Sequence, residues 1–453
     1  MNPLELRASL GLAGIYALRM LGMFLILPVF ALYAKTLPGA TSPTWIGIAL
    51  GSYGLTQALL QLPFGMLSDH FGRKRVIYFG LLLFAAGSFV AASAHDIGWL
   101  IFGRVIQGSG AVSAAVTALL ADLTREEHRT KAMALIGMSI GTTFAVSLVL
   151  GPVLARWIGV DGIFALTGIL TLMALAGVKF LIPDPVISRF HSDTETKSSR
   201  LKDVLRHPQL LRLNYGIFVL HGAQMAMFVV IPFALITTGH LDKSHHWEVY
   251  LPVTVLGFLL MVPAIIYGET RNKLKPVFVG SIALMTLAQL GMAFALTSFW
   301  MIAAWLTCYF IAFNILEATL PSLISKIAPA DAKGTAIGVY NTAQSLGLFT
   351  GAALGGLLYT HYGSTGVFCF TGLTMLSWLL LALTMVPPEP VKSMMFHIGE
   401  NWSGNPVELS RLLTLQRGVK EAVVMLEERV AYLKVSREDW DEASVQQLIQ
   451  ETN

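Results

Sequence analysis

Residues 65–77 read GMLSDHFGRKRVI. The apolar run WIGIALGSYGLTQALLQLPF ends just before this stretch, and YFGLLLFAAGSFVAASA begins just after it. Gly65, Asp69, Gly72 and the cations Arg73, Lys74 and Arg75 are thus confined to a short gap between two greasy segments. A run of three cations in such a gap reads as the turn of a helical hairpin that one side of a membrane retains.

The whole chain supports lipid as the solvent. Of 453 residues 55% are hydrophobic and only 13% charged, against about 25% charged in a soluble protein. A membrane-crossing helix needs about 20 mainly apolar residues. Twelve segments qualify: 10–34, 44–68, 76–95, 98–123, 132–156, 162–183, 211–238, 248–268, 276–296, 298–323, 334–360 and 363–386. They are called spans 1 to 12 below. Pro232, Pro252 and Pro263 blur the ends of spans 7 and 8. The opening MNPLELRASLG has neither a basic n-region nor a small-residue cleavage site, so it does not read as a removed signal. Cys308 and Cys369 are isolated in apolar segments and suit neither a disulfide framework nor a thiolate metal site.

Charge sets the orientation. The even-numbered loops hold 17 Lys or Arg, and the odd-numbered loops hold Lys35, Arg156 and Lys243. The positive-inside rule places the even loops, and both termini, in the cytoplasm. The halves also repeat. PFGMLSDHFGRKR at 63–75 aligns with PAIIYGETRNKLK at 263–275, pairing Asp69 with Glu269 and Arg75 with Lys275. RTKAMA at 129–134 meets DAKGTA at 331–336, and LP at 27–28 meets IP at 231–232. The expected organisation is a six-helix bundle over 1–183, a polar Ser/Thr-rich cytoplasmic linker over 184–210, and a second six-helix bundle over 211–388. A transporter built from such repeats binds its substrate between them near the midplane.

After Pro387-Pro388 the character changes. Residues 395–453 carry six Lys/Arg against ten Asp/Glu. They read as strand (395–399), helix (406–416), two strands (VKEAVVML, RVAYLKV) and a last helix (441–451). That order predicts a small cytoplasmic α+β unit, ferredoxin-like βαββα.

Gly65, Leu67, Asp69, Gly72, Arg73 and Lys74 resemble the signature that the major facilitator superfamily carries between helices 2 and 3. RVIQGSG at 104–110 resembles its helix-4 signature. Gly151-Pro152 resembles the core of the helix-5 antiporter signature, although the double glycine expected after it is Ala155-Arg156 here. The resemblance covers residues 10–386 and is nearest to the drug/H⁺ antiporters. It implies an all-α membrane protein of twelve helices, arranged six plus six about a pseudo-two-fold axis. It also implies a monomer of the inner membrane that exchanges protons for a small-molecule substrate by alternating access, without a cofactor.

The resemblance also assigns roles. Asp69 would face the N-terminus of span 11, whose free N–H groups favour a carboxylate. Arg73 would pair with Asp122 at the end of span 4. With Gly65, Gly72 and Lys74 these form a latch that bridges the halves when the cytoplasmic side is closed. The plainer reading is that the cations only fix topology. Ionisable residues inside spans are rare and mark function. Arg19 lies about 14 Å into span 1, and Glu317 about 9 Å from the end of span 10, at a rise of 1.5 Å per residue. With His221 on span 7, family geometry brings them to one cavity for proton coupling. Alternatively Glu317 and Arg19 form a fixed pair. Arg104 resembles the family's helix-4 arginine near proton transfer, or else it bonds neighbouring carbonyls. Tyr53, Gln57 and Gln61 share one helix face. So do His221 and Gln224, Asn314 and Glu317, and Asn341 and Gln344. These stripes suit substrate contact or interhelical hydrogen bonds equally.

Rival classes are constrained. The sequence contains no G-x-x-x-x-G-K-[ST] loop, nucleophile triad or metal-ligand cluster, which argues against an ATP-driven pump or an enzyme. A symporter or facilitator for a small polar solute stays open, as does a sensor that signals through the tail. The tail resembles heavy-metal-associated domains in outline but contains no cysteine, so it is not expected to carry metal.

Overall fold

The computed structural model describes residues 3–124, 126–183, 198–271, 273–329, 332–386, 391–398, 404–425, 429–436 and 440–451. The membrane part is helical throughout. Span 1 is Pro3–Leu25 continued by Leu27–Ala34. Span 2 is Pro43–Phe71 and span 3 is Arg73–Ala92. Span 4 is Ile97–Ser109 continued by Ser113–Asp122. Spans 5 and 6 share the helix Glu126–Phe180. Span 7 is Pro208–Thr237, span 8 Trp247–Thr270, span 9 Leu274–Phe294 and span 10 Phe299–Ile327. Spans 11 and 12 share Lys333–Leu383. A short helix, Ser198–Arg206, precedes span 7.

The hairpin between spans 2 and 3 is tighter than the hydropathy suggests. Gly72 alone separates two helices, at φ 92° and ψ 138°, a region that residues with a Cβ rarely enter. Arg73, Lys74 and Arg75 are therefore the first turn of span 3. Two connections expected as loops are also single glycines. Spans 5 and 6 turn at Gly159 (φ 69°), and spans 11 and 12 at Gly363 (φ 64°). Pro232, Pro252 and Pro263 lie inside continuous helices, as membrane helices tolerate. The true breaks fall at Ile26 in span 1 and over residues 110–112 in span 4.

The face bearing the basic hairpins is called the basic side here, and the other the far side. On the far side the two halves are in close contact. A Cβ on Gly47 of span 2 would lie 2.1 Å from the Ala352 carbonyl oxygen of span 11, and one on Gly356 would lie 2.4 Å from that of Pro43. Thr44 and Thr360 share a hydrogen bond of 2.9 Å between their hydroxyls. Lys35 lies 5.2 Å from the Phe233 ring, which stacks on Tyr359. The apolar core is continuous there, joining Leu25, Phe30, Leu50 and Phe164 to Phe228, Tyr250 and Phe310. On the basic side the first half keeps a separate core, around Leu12, Ile77, Leu119, Ala132 and Val178. The halves are thus joined on the far side and parted on the basic side.

The tail forms a three-stranded antiparallel sheet of β1 (Val391–His397), β2 (Val419–Met425) and β3 (Val430–Ser436), in the order β1-β3-β2. Met394 faces Leu433, and Ala422 faces the same residue from the other side. Helices Pro406–Thr414 and Glu442–Glu451 complete the βαββα order. Leu409, Leu413, Val435, Val445 and Ile449 give the unit its own core. The first strand begins before the expected 395.

Candidate transport pathway

At the basic hairpin, Arg73 is 4% exposed. Its Nε lies 3.4 Å from Asp122 Oδ2, and its Nη1 donates to Ser68 Oγ at 2.9 Å. Lys74 Nζ donates to the Ile182 carbonyl at 2.7 Å, capping the end of span 6. Gly65 approaches Ala114 of span 4, where a Cβ would come to 3.3 Å. The side chain of Asp69 lies outside the described residues. The Arg73–Asp122 pair joins spans 3 and 4 of one half.

Deeper in the first half, Arg19 is 2% exposed. Its Nη2 donates to Tyr53 OH at 3.3 Å and to the Gly110 carbonyl at 3.2 Å. That carbonyl lies where span 4 breaks. Arg104 Nη1 donates to Gln107 Oε1 at 2.5 Å, and Nη2 to the Leu50 carbonyl at 3.3 Å. Gln107 in turn donates to Ser88. The Arg104 guanidinium also lies 4.9 Å from the centre of the Tyr53 ring. Gln57 and Gln61 are buried on the same helix as Tyr53. Gly151 packs so closely on the break in span 1 that a Cβ would lie 2.4 Å from the Leu25 carbonyl oxygen. Pro152 continues that helix. Hydroxyls supply partners to the carbonyls near this break: Ser147 donates to Leu21 and Thr167 to Gly22.

In the second half, His221 Nε2 lies 3.7 Å from Glu317 Oε2 and 2.7 Å from Gln344 Nε2. Spans 7, 10 and 11 therefore meet at one imidazole, that of His221. Arg19 does not join them, which corrects the expectation that all three share a site. Its partners are in its own half, because its guanidinium is drawn to the break in span 4. Asn314 is buried against Gly257 of span 8, and Gln224 is buried on span 7. Asn341 is half-buried. The hydroxyls of Tyr309 and Tyr340, also buried, have no hydrogen-bond partner among the described residues.

Aromatic rings close the space between the halves. Phe144 of span 5 sits 5.2 Å from Phe24, 6.5 Å from Phe310 and 5.8 Å from Phe313. Phe313 stacks on Tyr309 and meets His221 edge-on. Sequence reading did not single out Phe144, Phe310, Phe313 or either tyrosine, since aromatic residues in apolar spans carry no distinguishing signal. No group of three or more metal-ligating side chains occurs among the described residues.

Twelve crossings in two matched halves, a far-side closure and buried polar groups at mid-depth define a membrane transporter. The chain belongs to the Major Facilitator Superfamily, whose family model matches residues 12–352 and again 271–400. It is therefore a transporter and not an enzyme. The chain is 43% identical over 451 residues to the inner membrane transport protein YajR of Escherichia coli (strain K12), covering 100% of this chain and 99% of that protein. It is 29% identical over 384 residues to multidrug resistance protein 2 of Bacillus subtilis (strain 168), covering 82% and 92% of the two chains. In fold it matches a bacterial homologue of the human lysosomal transporter Spinster, solved in an inward-facing and occupied conformation. That match has a TM-score of 0.68 at 13% identity and covers 84% and 96% of the chains.

Proposed function

We propose that this chain is a proton-coupled exporter of the inner membrane, with Glu317 as the group that takes and releases the proton. The Glu317–His221 contact carries the reading. Glu317 is the one carboxylate placed at mid-depth in spans 7 to 12, and the His221 imidazole lies 3.7 Å away, within reach as an ion-pair partner once it is protonated. Such an acid is tolerated neutral at low dielectric and ionised beside a protonated histidine, which is what a proton carrier needs. The resemblance of Gly151-Pro152 to the antiporter signature and the relative named for multidrug resistance support export.

The charge bias of the loops supports the basic side, and both termini, in the cytoplasm. On that orientation the present conformation opens inward. Residues 1–183 and 211–388 then act as two rocking bundles linked by 184–210, with 395–453 appended. The latch is part of the same proposal. With the basic side parted, Arg73–Asp122 fastens one half internally, and on closure Asp69 meets span 11.

The test uses proteoliposomes loaded with a panel of efflux dyes. Glu317→Gln should lose accumulation driven by a pH gradient while keeping energy-independent counterflow. Gradient-driven flux equal to wild type in Glu317→Gln overturns the assignment. Flux that follows the proton gradient in the same direction as the protons points to symport instead.

A further inference from the structure

The first half buries two guanidinium groups that the proposed proton step does not use. Arg19 and Arg104 are each 2% exposed, and neither has a carboxylate within ion-pair distance among the described residues. The acids of that half are committed or remote. Asp122 pairs with Arg73, Asp161 accepts from Tyr33, Asp96 caps span 4 through the Trp99 N–H, and Glu126 and Glu127 start the helix of span 5 beyond the basic end of span 4. Glu5 is 14 residues from Arg19 on one helix and Asp69 is 16 from Tyr53, so each lies roughly 20 Å or more along the axis at 1.5 Å per residue.

Both cations converge on Tyr53. Arg19 bonds its hydroxyl and Arg104 lies over its ring. A guanidinium offers five N–H donors. Arg19 Nε and Nη1 and Arg104 Nε have no partner among the described residues. Carbonyl oxygens and rings, including Phe84 at 5.0 Å from Arg19, only partly replace the water that burial removes. An unpaired charge at this depth is expensive, and two near one another are more so.

We propose that Arg19, Tyr53 and Arg104 form a subsite for the carboxylate of an amphipathic organic anion carried by this transporter. A carboxylate can accept from the unused Nη1 or Nε donors of Arg19, in the charge-assisted hydrogen bond that a guanidinium favours. It neutralises the local field while the apolar body rests among Phe84, Phe30 and the rings around Phe144. The cluster is sealed in this conformation. Span 4 breaks where Arg19 holds it and span 1 breaks at Ile26, so these two helices can part without unwinding elsewhere. The proposal deepens the exporter reading by naming a substrate class, yet it needs no proton gradient to be read.

The experiment measures equilibrium binding to the full-length protein in nanodiscs. Three carboxylates are used (benzoate, 1-naphthoate and decanoate), each beside its primary amide and its amine counterpart. At least one carboxylate should bind wild type tenfold or more tightly than its amide and amine. Arg19→Gln should remove that preference, and Arg19→Lys should keep part of it. If all three carboxylates bind no better than their amides, the proposal fails on wild type alone, whatever the variants do. Equal carboxylate affinity in a monodisperse Arg19→Gln protein also overturns it. Failure here with intact gradient-driven flux leaves the role of Glu317 standing, and the converse result leaves the subsite standing.

Discussion

Arg73 and Asp122 leave 3% and 0% of their side chains exposed. Removing one member of a buried pair strands the other, at a cost of about 3–5 kcal/mol, whereas replacing both with apolar groups of similar size is often neutral. Asp122→Asn should therefore lower the unfolding temperature of the purified protein sharply, and Arg73→Met combined with Asp122→Leu should recover most of the loss. A double variant as unstable as the single one would contradict a pairwise origin. Asp122 and Arg73 were legible because a signature resemblance names them. Glu317 and His221 were legible because ionisable groups in lipid are rare. The partners of Arg19 were not, because they depend on a carbonyl that is freed only once span 4 breaks at Gly110. Hydropathy registers the apolar content of 98–123 and is blind to that break.

At the scale of elements, the far-side closure rests on backbone contact. Gly47 of span 2 meets Ala352 of span 11, and Gly51 and Gly54 meet Phe349 and Ser345 farther in. Leucine at Gly47 would drive its Cβ to within 2.1 Å of a carbonyl oxygen, and backbone on both sides cannot yield locally. Gly47→Leu should bias the protein toward a far-side-open state. Cysteine placed at Thr44, beside Thr360, should then react with a membrane-impermeant maleimide about tenfold faster, the factor that about 1.4 kcal/mol of lost closure gives. An unchanged rate would mean that spans 2 and 11 do not form the barrier. Counting helices from the sequence succeeded because each crossing needs its own apolar run. The connections were harder to read. A glycine such as Gly159 or Gly363 turns one helix into the next without a polar loop, and nothing in hydropathy separates that from a loop of several residues.

Over the whole molecule, the internal repeat becomes a matched set of contacts. Lys74 caps the Ile182 carbonyl at the end of span 6, and Lys275 caps the Leu383 carbonyl at the end of span 12. The structural register is one residue off the sequence alignment, which pairs Arg75 with Lys275. The hairpin cations thus close each bundle on itself, besides any part in orientation. The second half has an ion pair of its own at this level, Glu269 of span 8 accepting from Lys326 of span 10 at 2.7 Å, where Glu269 aligns with Asp69 and not with Arg73.

The tail enters the same scheme through one side chain. Lys434 of β3 is 9% exposed, pairs with Glu421 at 2.9 Å and donates to the Ala328 carbonyl at 2.7 Å. Ala328 ends span 10, so the cation sits at the negative pole of the helix that carries Glu317. Because the tail has its own core, losing this contact should release it without unfolding it. In Lys434→Ala, amide exchange at residues 324–328 should rise about ten- to a hundredfold, for a charge-assisted hydrogen bond of roughly 1.5–3 kcal/mol. Exchange in β2 and β3 should stay as in wild type. Protection at 324–328 that does not change would show that span 10 ends independently of the tail. Increased exchange in β2 and β3 as well would show that docking, and not the local core, keeps the tail folded.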